Sequence, residues 1–194
     1  MKQEKIWDAI APKWAEFKTG LFPDVKEFLE YKKGKILDLG CGSGRNFPAI
    51  KGEIYGVDFS QEMLSIAKRK FPNAVLKKSL ASKVPFQDNF FDAAIYIATL
   101  HCIESEEDRA DSLKELHRVL KPKAQAFITV WSANHERVKK IGNNFLPWTV
   151  DGKKLQRFYY VYTQDELKYL LEKSGFKITS IKENKNIVAV VEKP

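Results

Sequence analysis

The sequence predicts an α/β fold, a seven-stranded, mostly parallel sheet with helices on both faces and an antiparallel last strand. Three observations carry this expectation. Short apolar, β-branched runs alternate with segments of helical spacing, the pattern of parallel strands joined by helical crossovers. The first run, Lys35 to Leu39, hands over to Gly40, Gly42 and Gly44, a turn that allows positive φ where a strand meets a helix. With 194 residues, 44% hydrophobic and 12% aromatic, the chain has the size and apolar content of one domain spanning residues 1–194.

Each element has its own justification. Ile6, Trp7, Ile10, Trp14 and Phe17 fall at steps of three and four, one apolar stripe on a helix over residues 6–17. A second short helix runs from about Pro23 to Tyr31, with proline in its favoured first turn, so residues 4–31 are N-terminal helices. Lys35 to Leu39 and Glu53 to Val57 are strands, with the glycine turn and a brief segment from Asn46 to Ile50 between them. Ser60 caps a helix to Lys70 that turns Met63, Leu64 and Ala67 inward, and Pro72 lies just past its end. Strands follow at Ala74 to Lys77 and Phe91 to Ala98, then a helix from Glu106 to Leu120 and a strand from Ala124 to Trp131. Thr163 and Glu166 form a capping-box pattern before a helix to about Ser174, Gly175 stops it, and Phe176 to Ile181 with Ile187 to Val191 make a closing antiparallel pair.

Residues 133–157 break this rhythm and read as a basic insertion. Arg137, Lys139, Lys140, Lys153, Lys154 and Arg157 stand there against Glu136 and Asp151, half of the chain's formal net charge of +8. The rest of the excess is spread and lysine-dominated, which permits polyanion binding without requiring it. No window approaches the ~20 uninterrupted apolar residues of a membrane span, and the N-terminus lacks the apolar stretch of a secretory signal, so a cytoplasmic protein is expected. Cys41 and Cys102 form no C-x-x-C pair or disulfide framework, which argues against a structural zinc site or a stapled secreted fold.

The segment Ile36-Leu37-Asp38-Leu39-Gly40-Cys41-Gly42-Ser43-Gly44-Arg45 carries most of the chemistry. Its glycines let a ligand lie against the backbone, and Asp58 at the end of the second strand suits a ribose diol. A dinucleotide loop would sit at the same place, but the third glycine comes one residue early for G-x-G-x-x-G. Asp38 would repel a pyrophosphate and can bind the cationic amino-acid end of S-adenosylmethionine. The alternatives are a tight turn without a ligand for the glycines and a turn or cap acid for Asp58.

Through Asp38-x-Gly40-x-Gly42-x-Gly44, Gly56-Val57-Asp58-Phe59-Ser60, and Val84-Pro85-Phe86 before Phe91-Asp92, the sequence resembles the Rossmann-like class I S-adenosylmethionine-dependent methyltransferases. The resemblance implies S-adenosylmethionine as cofactor, bound by Asp38, Gly40, Gly42, Gly44, Asp58, Phe59, Ala81 and Ile97, and no metal. One departure stands out: Leu80 occupies the position where the family commonly has an acid for the adenine amino group. Adenine binding then leans on a backbone contact near Ala81, or the cofactor binds weakly.

A second set of segments is similar to one branch, the tRNA wobble-uridine carboxymethyl methyltransferases. It comprises Ile10-Ala11-Pro12-x-Trp14, Ile97-Ala98-Thr99-Leu100-His101, Glu115-Leu116-x-Arg118-Val119-Leu120-Lys121-Pro122, Val130-Trp131, Pro147-Trp148 and Arg157-Phe158-Tyr159-Tyr160-Val161-Tyr162. That resemblance implies methyl transfer to a carboxylate, a reaction that needs a positioned cation more than a general base. Arg157 is the first candidate, Lys18 falls where the branch usually has Arg, and His101 follows the fourth strand beside the donor. Each has an ordinary alternative: a solvated charge, a loop lysine, a satisfied histidine. Phe145, Trp148, Tyr159 and Tyr160 are candidates to stack on an anticodon-loop base, although Tyr160 stands where the branch commonly has His. The branch also implies a small zinc-binding activator subunit paired in a heterodimer along the Ala74 to Lys77 edge. A small-molecule O- or C-methyltransferase and a non-catalytic cofactor-binding scaffold remain open.

Overall fold

The computed structural model describes residues 2–22, 24–135, 137 and 140–194. In chain order the elements are α1 (Gln3–Phe17), α2 (Val25–Leu29), β1 (Lys35–Leu39), β2 (Glu53–Asp58), α3 (Gln61–Lys70), β3 (Val75–Lys78), β4 (Phe91–Ile97), α4 (Glu106–Val119), β5 (Leu120–Trp131), β6 (Gly142–Val150), β7 (Lys153–Val161), α5 (Gln164–Lys173), β8 (Lys177–Glu183) and β9 (Asn186–Glu192), with 3-10 turns at Phe47–Ala49 and Leu100–Cys102. The α/β expectation holds. Seven strands form one sheet in the order β3-β2-β1-β4-β5-β9-β8, parallel except for β9, which runs antiparallel to both of its neighbours.

The central strands are apolar on both faces because both faces are covered. Ile36, Leu37 and Leu39 of β1 are buried, as are Ala93 to Ile97 of β4, and the two faces belong to two apolar clusters. α4 and α5 pack over one cluster through Leu113, Leu116, Leu167 and Leu171. The other holds Val25 and Leu29 of α2, the Phe47 turn and Leu64 and Ala67 of α3. Strand order reverses between β1 and β4, so their carboxyl ends open a crevice there.

Local signals act largely as read. The Ser60 hydroxyl accepts from the Met63 N–H at 3.2 Å, and Gly175 closes α5 at φ +91°. The capping box at α5 is only half made. Thr163 Oγ1 accepts from the Glu166 N–H at 3.2 Å, while the Glu166 carboxylate accepts from the Tyr160 hydroxyl instead of returning to Thr163.

Three expectations change. α2 covers Val25–Leu29 rather than reaching Tyr31, and its proposed start at Pro23 lies outside the described residues, as do Glu136 and Lys139 of the basic segment. β5 begins at Leu120, directly after α4, with a register shift against β4 between Phe91 and Ala93. The largest change concerns residues 133–157, which the irregular rhythm leaves as an insertion without elements. From Gly142 the chain forms an antiparallel hairpin, β6–β7, that continues to Val161.

The hairpin turns on Asp151 and Gly152, whose φ values are +48° and +75°, with Val150 opposite Lys153. An Asp-Gly pair adopts positive φ readily and matches the twist of the flanking strands. One hairpin face, carrying Leu146, Trp148, Val150 and Leu155, packs on α1 with Trp7, Ile10 and Trp14. Gln3 ties the start of α1 to β7, its side chain accepting from the Phe158 N–H at 3.1 Å and donating to the Gln156 carbonyl at 3.3 Å. α1 and the hairpin thus wall one side of the crevice. Among the described residues, no helix is long and apolar enough to cross a membrane.

Candidate active site

The crevice floor is the turn after β1. The Gly40 and Cys41 N–H groups both donate to the Val57 carbonyl, at 2.7 and 3.0 Å, which fastens the turn to the end of β2. Gly40, at φ +73°, has the Thr99 side chain 2.2 Å from where a Cβ would stand, so the ends of β1 and β4 touch only because it is glycine. Gly42, at φ +52°, differs: its missing Cβ would meet nothing closer than the Met63 sulfur at 3.9 Å, so space lies open above it.

Two carboxylates flank this turn. Asp58 accepts from the Gly42 N–H at 2.8 Å and the Ser60 N–H at 2.9 Å, and burial raises its pKa to about 6 against those backbone bonds. Asp38 lies beneath the turn, 1% exposed, and its Oδ2 has no hydrogen-bond partner. Burial, opposed by nearby Arg45, raises the Asp38 pKa to about 7. A buried carboxylate oxygen without a donor is poorly satisfied until a cation approaches. The open backbone and Asp58 fit the ribose of S-adenosylmethionine, and the Asp38 carboxyl beneath the turn favours a cationic ligand end above it.

A cavity of about 400 Å³ rises from this floor, within the range of small-molecule sites. Of the residues named from sequence for the cofactor, Gly40, Gly42, Asp58, Phe59 and Ile97 line it. Asp38 and Gly44 do not. A Cβ on Gly44 would stand 2.8 Å from the Phe47 ring, so this glycine serves packing of the turn. Ala81 also lies outside the lining and packs against the apolar cluster around Tyr55 and Phe91, while Leu80 is 47% exposed.

The same cavity brings together Lys18, His101 and Arg157, the three candidates for the acceptor side. Arg157 is 4% exposed, although its type favours the surface. Its guanidinium carbon lies 4.9 Å from the Trp148 ring, 5.2 Å from Trp14 and Tyr159 and 5.9 Å from Trp7, and it donates to the Tyr159 hydroxyl. Its Nε has no hydrogen-bond partner, and Arg157 belongs to none of the ion pairs found among the described residues.

His101 is buried at 1% exposure, and its Nδ1 accepts from the Trp131 N–H at 3.2 Å. Burial, with His135 nearby, takes its pKa down to about 3, so the ring is neutral with its proton on Nε2. Trp131 stacks between His135 at 4.1 Å and Tyr159 at 4.4 Å. Lys18 sits at the end of α1 with its ammonium 5.0 Å from Phe17 and 5.7 Å from Trp14. Burial lowers its pKa, reinforced by Arg45, Arg137 and Arg157.

The aromatic candidates divide. Tyr159 is buried in the stack, Trp148 packs edge-on to Trp14 at 5.4 Å, and Tyr160 binds Glu166 beneath Arg109, outside the cavity lining. Only Phe145 of the four presents an exposed ring, at 54%. Trp7, Trp14, Thr99, His135 and Arg137 also line the cavity, though nothing in their spacing assigns them to a site. The Asp151-Gly152 pair was the available signal that β6 and β7 form one hairpin.

Residues 37–128 match a family model described as a methyltransferase domain. The chain is 34% identical over 135 residues to a tRNA (carboxymethyluridine(34)-5-O)-methyltransferase of Arabidopsis thaliana, covering 68% of this chain and 33% of that protein. It is 33% identical over 129 residues to a demethylmenaquinone methyltransferase of Chlorobaculum tepidum, covering 64% and 48%. A solved S-adenosylmethionine-dependent methyltransferase of Methanosarcina mazei superposes with a TM-score of 0.76 at 25% identity, covering 90% of this chain and 98% of that one. The chain spans a third or less of the length of the tRNA methyltransferases it matches.

Proposed function

We propose that this chain, which carries a methyltransferase domain of the S-adenosylmethionine-dependent class, esterifies the carboxylate of a carboxymethyl-modified wobble uridine in tRNA. This reading rests above all on Arg157, a buried cation facing the cofactor crevice with rings around it and no ion pair among the described residues. Such a charge is poorly compensated until a ligand anion arrives, and a carboxylate matches the guanidinium fork. The name of the Arabidopsis relative supplies the uridine.

S-adenosylmethionine, when bound, supplies an electrophilic methyl group on a sulfonium, which a carboxylate oxygen displaces with release of the thioether. No proton has to be removed, so the protein's work is placement and exclusion of water. Asp58 would hold the ribose, with Gly40, Gly42, Phe59 and Ile97 around it, and Asp38, buried beneath the turn, would add negative potential under the ammonium end. Arg157 would hold the acceptor carboxylate. Neutral His101 would donate from Nε2 without adding charge, and Lys18 would add positive potential. Trp7, Trp14, Trp131 and Tyr159, which line the cavity, would limit water at the reacting atoms.

The basic segment would meet the anticodon loop through Lys153 and Lys154, both exposed on the hairpin. A small zinc-binding activator would add its strand to β3, which ends the sheet and, among the described residues, pairs with β2 alone. Val75, on that strand, is 40% exposed.

A small-molecule O- or C-methyltransferase is the second reading, favoured by the nearly equal identity to the demethylmenaquinone enzyme. An apolar acceptor, however, gives Arg157 no counter-ion. Mass analysis of wobble nucleosides from cells lacking the chain separates the two. Loss of the methyl ester with accumulation of the free acid supports the tRNA reading, and unchanged nucleosides favour the second.

A further inference from the structure

The cavity holds more positive charge than one carboxylate can balance. Four cations line it, Lys18, Arg45, Arg137 and Arg157, while Asp58 is the only acid among its described lining residues. Arg45 lies near Asp38 beneath the turn, whose charge partly offsets it. Neither Lys18 nor Arg137 belongs to an ion pair found among the described residues. If Arg157 takes the acceptor carboxylate, these two remain for the cofactor's own carboxylate and one further anion.

Their placement is graded. Arg157 is buried, Lys18 is half-buried and Arg137 is exposed, so the charges run from deep in the cavity to its rim. Arg157 and Lys18 both approach the Trp14 ring, at 5.2 and 5.7 Å, which sets the lysine beside the deep site but not inside its ring of aromatics. The lysine is a compact point charge, suited to a phosphate, where the deep arginine offers a planar fork suited to a carboxylate. Beside it, Phe17 is 56% exposed, with its ring against Trp148 at 5.9 Å and the lysine ammonium over it at 5.0 Å.

We propose that Lys18 and Arg137 form a second anion subsite at the cavity rim, for a phosphate on the same nucleotide whose carboxylate Arg157 holds. This rests on the acceptor reading given above. It separates the work of the two kinds of cation: the deep one aligns the reacting group, and the rim pair recognises that the group belongs to a nucleotide in a strand. A free small acid would fill the first subsite and leave the second empty.

The test is calorimetric titration of the chain, loaded with S-adenosylhomocysteine, with 5-carboxymethyluridine and with its 3′,5′-bisphosphate. In the wild type the bisphosphate should bind about tenfold or more tightly at low salt, the gain of a charge-assisted contact. That ratio should fall towards one in Lys18→Ala and in Arg137→Ala, whereas Arg157→Ala should weaken both ligands and keep the ratio. Equal affinity of the two ligands for the wild type would overturn the rim subsite and leave the acceptor reading standing. Binding of neither would overturn both. If Lys18→Ala weakens S-adenosylhomocysteine and preserves the ratio, the lysine serves the cofactor and the proposal fails.

Discussion

Arg157 and Trp148 lie diagonally across the β6–β7 hairpin, and the guanidinium carbon of one stands 4.9 Å from the ring centre of the other. The pairing follows from register: Leu146 faces Arg157, and Trp148 is two residues along on the same face. Aromatic contact compensates a desolvated guanidinium by about 0.5–2 kcal/mol, without the neutralisation a carboxylate would bring. The charge is held in place and left available.

Arg157→Ala should therefore lower turnover by about 100-fold while leaving the affinity for S-adenosylmethionine close to wild type, since Arg157 is not among the residues assigned to the cofactor. Arg157→Lys should recover only part of the rate, because it restores charge without the fork. Single-turnover kinetics beside a cofactor titration measures both, and a wild-type rate in Arg157→Ala would remove this residue from the reaction.

Gly42→Val and Asp58→Ala should each weaken cofactor binding by about tenfold or more. The first puts a branched side chain at φ +52°, in the open space above the turn, and the second removes the acceptor of the Gly42 N–H. Undiminished affinity in both, by calorimetry, would place the cofactor elsewhere.

Cofactor affinity should depend on pH through Asp38. Its carboxyl is raised to about 7, and a cationic ligand end favours the ionised form. Below pH 7 the group is increasingly protonated and binding must expel that proton, so affinity falls as the solution is acidified from about pH 8 to 6, and it falls again in more alkaline solution as the cofactor's own ammonium loses its proton. Asp58, at about 6, steepens the lower end. Asp38→Asn should bind more weakly in mildly alkaline solution and lose most of the slope; an unaltered slope would assign the dependence to another group.

Binding of tRNA should weaken steeply with salt, and Lys153→Ala with Lys154→Ala should flatten that dependence by about one unit of slope for each phosphate no longer neutralised. Filter binding across a salt series reads this directly. A double variant with the wild-type slope would move the RNA to another face.

Much of this arrangement was legible in the chain because it rests on local rules. The Gly40 turn, the Ser60 cap and the alternation of strands with helices each act within a few residues, and each stands where the sequence puts it. The hairpin escaped because its two strands meet different surroundings. β6 alternates regularly in exposure, but β7 buries Arg157, Phe158 and Tyr159 in succession, so its residues do not read as a half-buried strand. The aromatic cage escaped for a related reason. Trp7 and Trp14 look like core on a helix stripe, and only the fold of β6 and β7 against α1 turns that stripe towards a cation. Leu80 and Tyr160 marked departures from the family pattern. Both lie outside the cavity lining, where Leu80 is exposed and Tyr160 is engaged with Glu166.

The decisive assay is transfer of a labelled methyl group from S-adenosylmethionine to tRNA bearing 5-carboxymethyluridine at the wobble position, with and without a small zinc-binding activator subunit. Label should enter the tRNA as an alkali-labile ester on that uridine, at a rate that collapses in Arg157→Ala. Absence of label with the activator present, or label of equal extent on tRNA lacking the carboxymethyl group, would contradict esterification of that carboxylate by this chain.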